Sequence, residues 1–198
     1  ALAKEGHRVT LGTRNIAKEE LVKFSKENST ISIGTFTDIS KFGELIVLAT
    51  NGEATEEAIK LAGIANFRNK IIIDTTNPIA KTAPVNGVLQ FFTGPNESLM
   101  ERIQQLLPEA KVVKAFNCVG NAYMYKPSFP GGTPTMFIAG NDEEAKKTVT
   151  DILTVFGWET EDMGKAEAAR AIEPLCMLWC IPGFIRNKWN HAFKLLKA

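Results

Sequence analysis

Two histidines, His7 and His191, and three cysteines, Cys118, Cys176 and Cys180, are a thin supply of soft ligands and nucleophiles for 198 residues. There is no CxxC pair and no HExxH string, and an odd number of thiols does not make a disulfide framework. Neither a metal site nor a disulfide-stapled fold is supported. Cys176 and Cys180 are spaced to share one helical face, where buried thiols are ordinary packing residues. The thiol pattern points to a reducing compartment, hence the cytoplasm. Charge of one sign is scarce too. The 23 Lys+Arg and 22 Asp+Glu leave a formal net charge of +1 without long same-sign runs, which gives no electrostatic footprint for nucleic acid or an anionic membrane. The longest apolar run, Pro174 to Ile185, is too short to span a bilayer and carries Pro182 and Gly183, so it reads as a buried helix or a dimer face. The opening ALAKEG lacks the apolar core of a signal peptide and reads as the last turns of a helix closed by Gly6.

The length suits one domain with a full core, and the composition is that of a globular protein. Short β-rich runs alternate with helical ones. The expected strands are His7–Thr13, Thr30–Thr35, Glu44–Thr50, Lys70–Asp74, Lys111–Phe116, Pro134–Gly140 and Trp158–Met163. Helices are expected over Ala17–Glu27, Glu53–Ala65, Glu97–Leu107 and Asp142–Phe156, with a helical tail over about 166–198. Ile46-Val-Leu-Ala and Ile71-Ile-Ile are continuous apolar runs, as strands covered on both faces should be. The fold class is therefore α/β, a Rossmann-type doubly wound, mostly parallel sheet with helices on both faces, forming a single domain over 1–198. Ligands of such sheets bind outside the carboxyl ends of the strands, which directs attention to Thr13–Asn15, Ala49–Gly52, Asp74–Pro78 and Asn117–Asn121.

An NAD site needs an acid near the end of the second Rossmann strand to accept from the ribose 2′-OH, whereas a 2′-phosphate needs cations and short hydroxyls. From His7 to Lys18 no acid occurs. Arg14 could grip a phosphate bidentately, Thr13 and Asn15 could donate neutral hydrogen bonds, and Lys18 follows. The implied cofactor is NADP rather than NAD; an ordinary basic turn opening a solvated helix would look the same. The glycine fingerprint that cradles a pyrophosphate should lie about 20 residues earlier, and counting back from Arg14 falls before Ala1. The expectation is a domain truncated at its N-terminus, whose first strand and glycine turn are missing from this chain. The alternative is another α/β topology that needs no glycine turn.

Three further strings, Leu48-Ala-Thr-Asn51, Ile73-Asp-Thr-Thr-Asn-Pro-Ile79 and Val113-Lys-Ala-Phe-Asn-Cys-Val119, stand with GHRVTLGTRN and the late Ala169-Arg-Ala-Ile-Glu-Pro-Leu175. Together they resemble the family of NADP oxidoreductases named for the deazaflavin coenzyme F420, which includes the cytosolic domain of the STEAP metalloreductases. The resemblance runs from Gly6 over almost the whole chain. It implies that Thr13, Arg14 and Lys18, with Asn15 adjacent, bind the adenosine 2′-phosphate. Ala49, Thr50, Asn51 and Gly52 would pass along the cofactor, a stretch that also reads as a helix N-cap. Asn77, Pro78 and Asn117 match positions flanking the nicotinamide, although the first two also suit a generic turn. Glu173 would approach the acceptor pocket, or else cap or pair within a dimer interface.

Hydride transfer between flat rings asks little of side chains beyond stacking and approach, and no Ser-His-Asp set or other acid-base machinery is evident. The expected reaction passes a hydride between NADPH and a deazaflavin, a flavin or a chelated metal ion. A non-catalytic NADPH-binding redox sensor is a second reading. A dehydrogenase of a small alcohol or imine is a third, for which Tyr123, Tyr125 and Lys126 are the only cluster available. The aromatic and basic tail from Gly183 to Lys194 has the mixture enriched at interfaces, so a homodimer with the acceptor cleft completed by the partner is expected.

Overall fold

In the computed structural model, which describes residues 1–198, strands and helices alternate through most of the chain. The order is β1 (Val9–Thr13), α1 (Glu19–Glu27), β2 (Ile31–Thr35), α2 (Phe36–Phe42), β3 (Leu45–Leu48), α3 (Gly52–Ala62), β4 (Ile71–Asp74), α4 (Leu99–Leu106), β5 (Lys111–Lys114), β6 (Thr135–Gly140), α5 (Glu143–Val155), β7 (Glu159–Asp162), α6 (Ala169–Ile172) and α7 (Pro174–Arg186). Leu2–Glu5 form a short 3-10 helix, closed by Gly6 at φ 87, the left-handed conformation that glycine adopts without a Cβ clash. β1 and β2 pair in parallel as a two-stranded sheet. The rest form a five-stranded sheet in the order β3-β4-β5-β6-β7, parallel at every junction except β5 with β6.

Strand periodicity builds two cores on opposite faces of that sheet. Ile72 of β4 and Val112 of β5 join Ile46, Ile59, Phe67 and Ile103 in one core. Their neighbours Ile73 and Val113 join Met136, Ile138, Val149, Leu153 and Trp158 in the other. The helices start where side chains satisfy their first amides: Asn51 accepts from Glu53, Ser98 from Glu101 and Asp142 from Ala145. α5 then buries Ala145, Val149 and Leu153, a stripe at four-residue spacing.

α2 was not expected. It follows β2 without a loop because Thr35 and Asp38 form a capping box, the Thr35 hydroxyl accepting from the Asp38 amide at 3.2 Å while the Asp38 carboxylate accepts from Thr35 N at 2.8 Å. The end of the chain also differs from expectation. The helical run Ala166–Arg186 is 21 residues and, by length and composition alone, long and apolar enough to cross a membrane, whereas the apolar stretch Pro174–Ile185 by itself is not. One face of this run, Ala166, Ala169, Ile172, Cys176 and Trp179, is buried in the protein. Beyond it the tail folds back instead of projecting outward. The indole of Trp189 lies against Gly183, where a Cβ would come within 2.2 Å of the ring. His191 stacks on Trp179 at 5.1 Å, and the Trp179 indole N–H donates to the His191 carbonyl at 2.8 Å. Aromatic residues expected at an interface are thus largely used within the chain.

The two sheets do not touch edge to edge. Between β1 and β3 lies a cavity of about 810 Å³ lined by Val9–Gly12 on one side and Leu45–Thr50 on the other.

Candidate functional site at the carboxyl ends of the strands

β3, β4 and β5 end in register, Leu48 beside Asp74 and Asp74 beside Lys114, so the loops that follow them share one edge of the sheet. Backbone contacts lock these loops together. The Thr75 N–H and hydroxyl both donate to the Leu48 carbonyl, at 3.1 and 2.9 Å, and the Ala115 N–H donates to the Asp74 carbonyl at 3.0 Å. Gly52 sits so close to the Asn77 carbonyl that a Cβ would lie 2.0 Å from it, which makes glycine obligatory there without a shift of the loop. Asn77 and Asn117 clasp one another. The Asn77 amide donates to the Asn117 carbonyl at 2.8 Å, and the Asn117 amide donates to Asn77 Oδ1 at 3.2 Å and to the Ile172 carbonyl at 3.0 Å. Asn117 is buried, and its Oδ1 is left without a donor, while Asn77 is half-exposed. Ala49–Gly52, Asn77, Pro78 and Asn117 are therefore one constellation.

A fully buried ion cluster supports it from below. Lys114 Nζ lies 2.6 Å from Asp74 Oδ2 and 2.8 Å from Glu173 Oε1, and donates to the Thr76 carbonyl at 2.9 Å. Asp74 Oδ1 meanwhile accepts from the Thr76 N–H and hydroxyl at 2.9 and 2.7 Å. Burial pulls the Lys114 ammonium towards losing its proton. The attraction of Asp74 and Glu173 and their hydrogen bonds outweigh it, and the pKa rises above the ordinary lysine value. Glu173 also accepts from the Leu99 and Met100 N–H groups, both at 3.0 Å, at the start of α4. It is 1% exposed and caps the start of α4 within its own chain.

The loop after β1 is different in kind: exposed and poor in partners. Thr13 and Asn15 brace one another, the Asn15 N–H donating to Thr13 Oγ1 at 3.1 Å and the hydroxyl to the Asn15 carbonyl at 3.2 Å. Asn15 Oδ1 accepts from the Ala17 N–H at 2.9 Å. Lys18 lies 3.4 Å from Glu20, with both side chains more than half exposed. Arg14 is exposed and makes neither an ion pair nor a side-chain hydrogen bond. Gly12, which precedes this loop, lines the same cavity as Ala49 and Thr50, so the slot between the sheets separates the Arg14 loop from the Asn77–Asn117 constellation.

The matching family model is that of the coenzyme F420-dependent NADP oxidoreductases, over residues 1–78. A crystal structure of a protein from Arthrobacter sp. FB24, assigned as an F420-dependent NADP reductase, superposes with a TM-score of 0.92 at 32% identity, over 99% of this chain and 91% of its own. The chain belongs to the F420-dependent NADP oxidoreductase family. Among curated relatives, the F420-dependent NADP reductase of Methanocaldococcus jannaschii is 32% identical over 71% of this chain, and metalloreductase STEAP3 of Rattus norvegicus is 32% identical over 70%. The chain spans 62% of the archaeal protein and 27% of the rat one.

Within this family member, the strand-end residues singled out from the sequence fall into an exposed cationic loop, Thr13 to Lys18, and a locked constellation around Asn77. Tyr125 and Lys126 lie elsewhere: both engage Glu5, Lys126 at 3.2 Å, and the Tyr125 ring packs edge-on against Phe156 at 5.1 Å. Lys114 and Asp74 escaped the sequence reading as a cluster. The signal was present, because a charged residue closing an apolar central strand, as in Ile71-Ile-Ile-Asp74 and Val112-Val-Lys114, has to find a buried partner.

Proposed function

We propose that the protein is an NADP(H)-dependent oxidoreductase and that its hydride partner is a deazaflavin, with flavins and chelated metal ions as lesser acceptors. The observation that carries this is Arg14: an exposed guanidinium without any protein partner, flanked by Thr13 and Asn15, at a strand end from which carboxylates are absent between His7 and Lys18. That donor set fits a phosphate and leaves the 2′-OH of NAD without an acceptor. NADPH, when bound, supplies the hydride. Arg14, Thr13 and Asn15 hold the 2′-phosphate, Ala49–Gly52 line the path of the cofactor, and Asn77 offers its half-exposed amide to the carboxamide end. Asn117 is a positioning residue in this scheme, since its side chain holds Asn77 and the Ile172 carbonyl. The names of the archaeal and Arthrobacter relatives support a deazaflavin as the first acceptor to test.

The cofactor assignment is tested with 2′,5′-ADP, which carries the 2′-phosphate without needing a pyrophosphate cradle. It should bind at least about tenfold more tightly than 5′-AMP, the worth of one charge-assisted phosphate contact; equal affinities would overturn the assignment. For the acceptor, NADPH oxidation is followed with coenzyme F420, FMN and ferric citrate. Turnover with F420 is expected, and none with any of the three would refute the proposal.

We further propose a cytoplasmic homodimer assembled through α7. With Cys176, Trp179 and Gly183 facing inward, Leu178 and Ile185 remain 55% and 58% exposed, with Ile181 half-buried between them. These positions, three and four residues apart, form one outward apolar stripe, which a two-fold axis can match with its own copy.

A further inference from the structure

Three charged side chains buried together are weak evidence of stability, because well-packed apolar residues of similar volume often serve a fold as well or better. What distinguishes the cluster of Lys114, Asp74 and Glu173 is what it holds. Lys114 Nζ donates to the Thr76 carbonyl at 2.9 Å, and Asp74 Oδ1 accepts from the Thr76 N–H at 2.9 Å, so both peptide units of Thr76 are fixed directly ahead of Asn77. The next carbonyl, that of Asn77, is wedged against Gly52. On the other side Glu173 pairs with Lys114, and its chain neighbour Ile172 supplies the carbonyl that accepts from Asn117, which in turn holds Asn77. The contacts close a circuit from Lys114 through Thr76, Asn77, Asn117, Ile172 and Glu173 back to Lys114. No apolar trio could close it, since the link through Thr76 needs a donor and the link through Glu173 needs an opposite charge.

Asn77 is the one member of the circuit that is not buried. A primary amide carries two N–H donors and two acceptor lone pairs. Asn117 engages one N–H of Asn77 through its carbonyl and one lone pair through its own amide. One N–H and one lone pair of Asn77 remain, on a side chain whose nitrogen and oxygen can no longer exchange places. That is the complement of a second primary amide. We propose that Lys114 is a positioning residue for the nicotinamide carboxamide: through the Thr76 carbonyl and Glu173 it locks the Asn77 amide in one orientation before the cofactor arrives. The proposal rests on NADPH occupying the strand-end site. Its benefit is preorganisation, since an amide already held in place loses little freedom when a ligand pairs with it.

The test compares Lys114→Met, which opens the circuit, with Leu153→Ala, a truncation in the opposite core that weakens the fold without touching the circuit. Both are studied at a temperature where circular dichroism shows them folded. The first measurement needs no cofactor: hydrogen exchange of the Asn77 side-chain amide, followed by NMR. It should be about three- to tenfold faster in Lys114→Met, the protection of one hydrogen bond, and unchanged in Leu153→Ala. The second measurement is affinity. Lys114→Met should bind NADPH about three- to tenfold more weakly and 2′,5′-ADP, which has no nicotinamide, as well as the wild type does. Unchanged Asn77 exchange, intact NADPH affinity, an equal loss for 2′,5′-ADP, or the same pattern in Leu153→Ala overturns the proposal. Should Lys114→Met not fold, Glu173→Gln keeps the volume, removes the charge that faces Lys114, and is held to the same outcomes. A wild type that binds 2′,5′-ADP no better than 5′-AMP removes the cofactor reading instead, and exchange alone then decides whether Lys114 holds Asn77.

Discussion

Arg14 and Lys114 show two opposite uses of a cation. Arg14 has no protein partner, so its removal costs the fold little and falls on the ligand: Arg14→Ala should weaken NADPH and 2′,5′-ADP about tenfold to hundredfold and leave NADH and 5′-AMP nearly unchanged. Fluorescence titration of each pair checks this, and equal losses would remove Arg14 from the phosphate site. Lys114 is wholly buried between two carboxylates, so Lys114→Met leaves Asp74 and Glu173 facing each other uncompensated. Breaking a buried pair in this way should lower the unfolding free energy by about 3–5 kcal/mol, read from urea denaturation. The pH dependence follows from the direction of the Lys114 shift. Its pKa in the folded protein lies above the ordinary lysine value of 10.5, so its contribution is complete below about pH 10 and is lost as the pH rises through the folded value. A stability profile already falling between pH 8 and 9 in the wild type, with that fall abolished in Lys114→Met, would contradict this. At this scale the exposed half of the site was legible, because a missing acid is a property of the string. The buried half was not, because Glu173 meets Lys114 only through the tertiary fold.

The helices depend on their caps, and the caps explain both what the sequence revealed and what it hid. α3, α4 and α5 were expected because a polar cap precedes a run with helical periodicity. α2 was overlooked because it is only seven residues long and begins where β2 ends, leaving no turn to mark it. The Thr-x-x-Asp box at Thr35 and Asp38 was the available sign. Thr35→Ala should therefore destabilise the protein by about 0.5–2 kcal/mol, with the loss seen first as faster amide exchange in α2. Thr35→Ser, which keeps the hydroxyl, should restore most of it; failure of serine to do so would mean that the threonine methyl, rather than the cap, matters. The Asp38 carboxyl is held below its ordinary value, chiefly by the Thr35 hydroxyl and then by the Thr35 N–H. The box is therefore intact above about pH 4 and loosens as acid protonates Asp38, and Thr35→Ala should flatten that part of the profile.

For the molecule as a whole, the alternation of strands and helices was enough to give a doubly wound sheet with two covered faces, since Ile72 and Ile73 cannot both be buried any other way. The inward return of the tail was not legible, because aromatic residues suit a core as well as an interface, and only the bare Gly183 surface decides that Trp189 packs at home. This return sharpens the assembly question. With Trp189 and His191 engaged on Trp179, the proposed α7 dimer centres on the outer stripe of Leu178, Ile181 and Ile185. Leu178→Arg introduces a like charge on both sides of that axis while leaving the buried face untouched, so it should yield a folded monomer with an unchanged circular dichroism spectrum. Sedimentation equilibrium provides the measurement: a dimer for the wild type and at least a tenfold weaker association for Leu178→Arg, the effect of a few like-charge and desolvation contacts at an interface centre. A wild-type monomer at micromolar concentration would exclude the α7 dimer, and a variant that dimerises as well as the wild type would move the interface elsewhere.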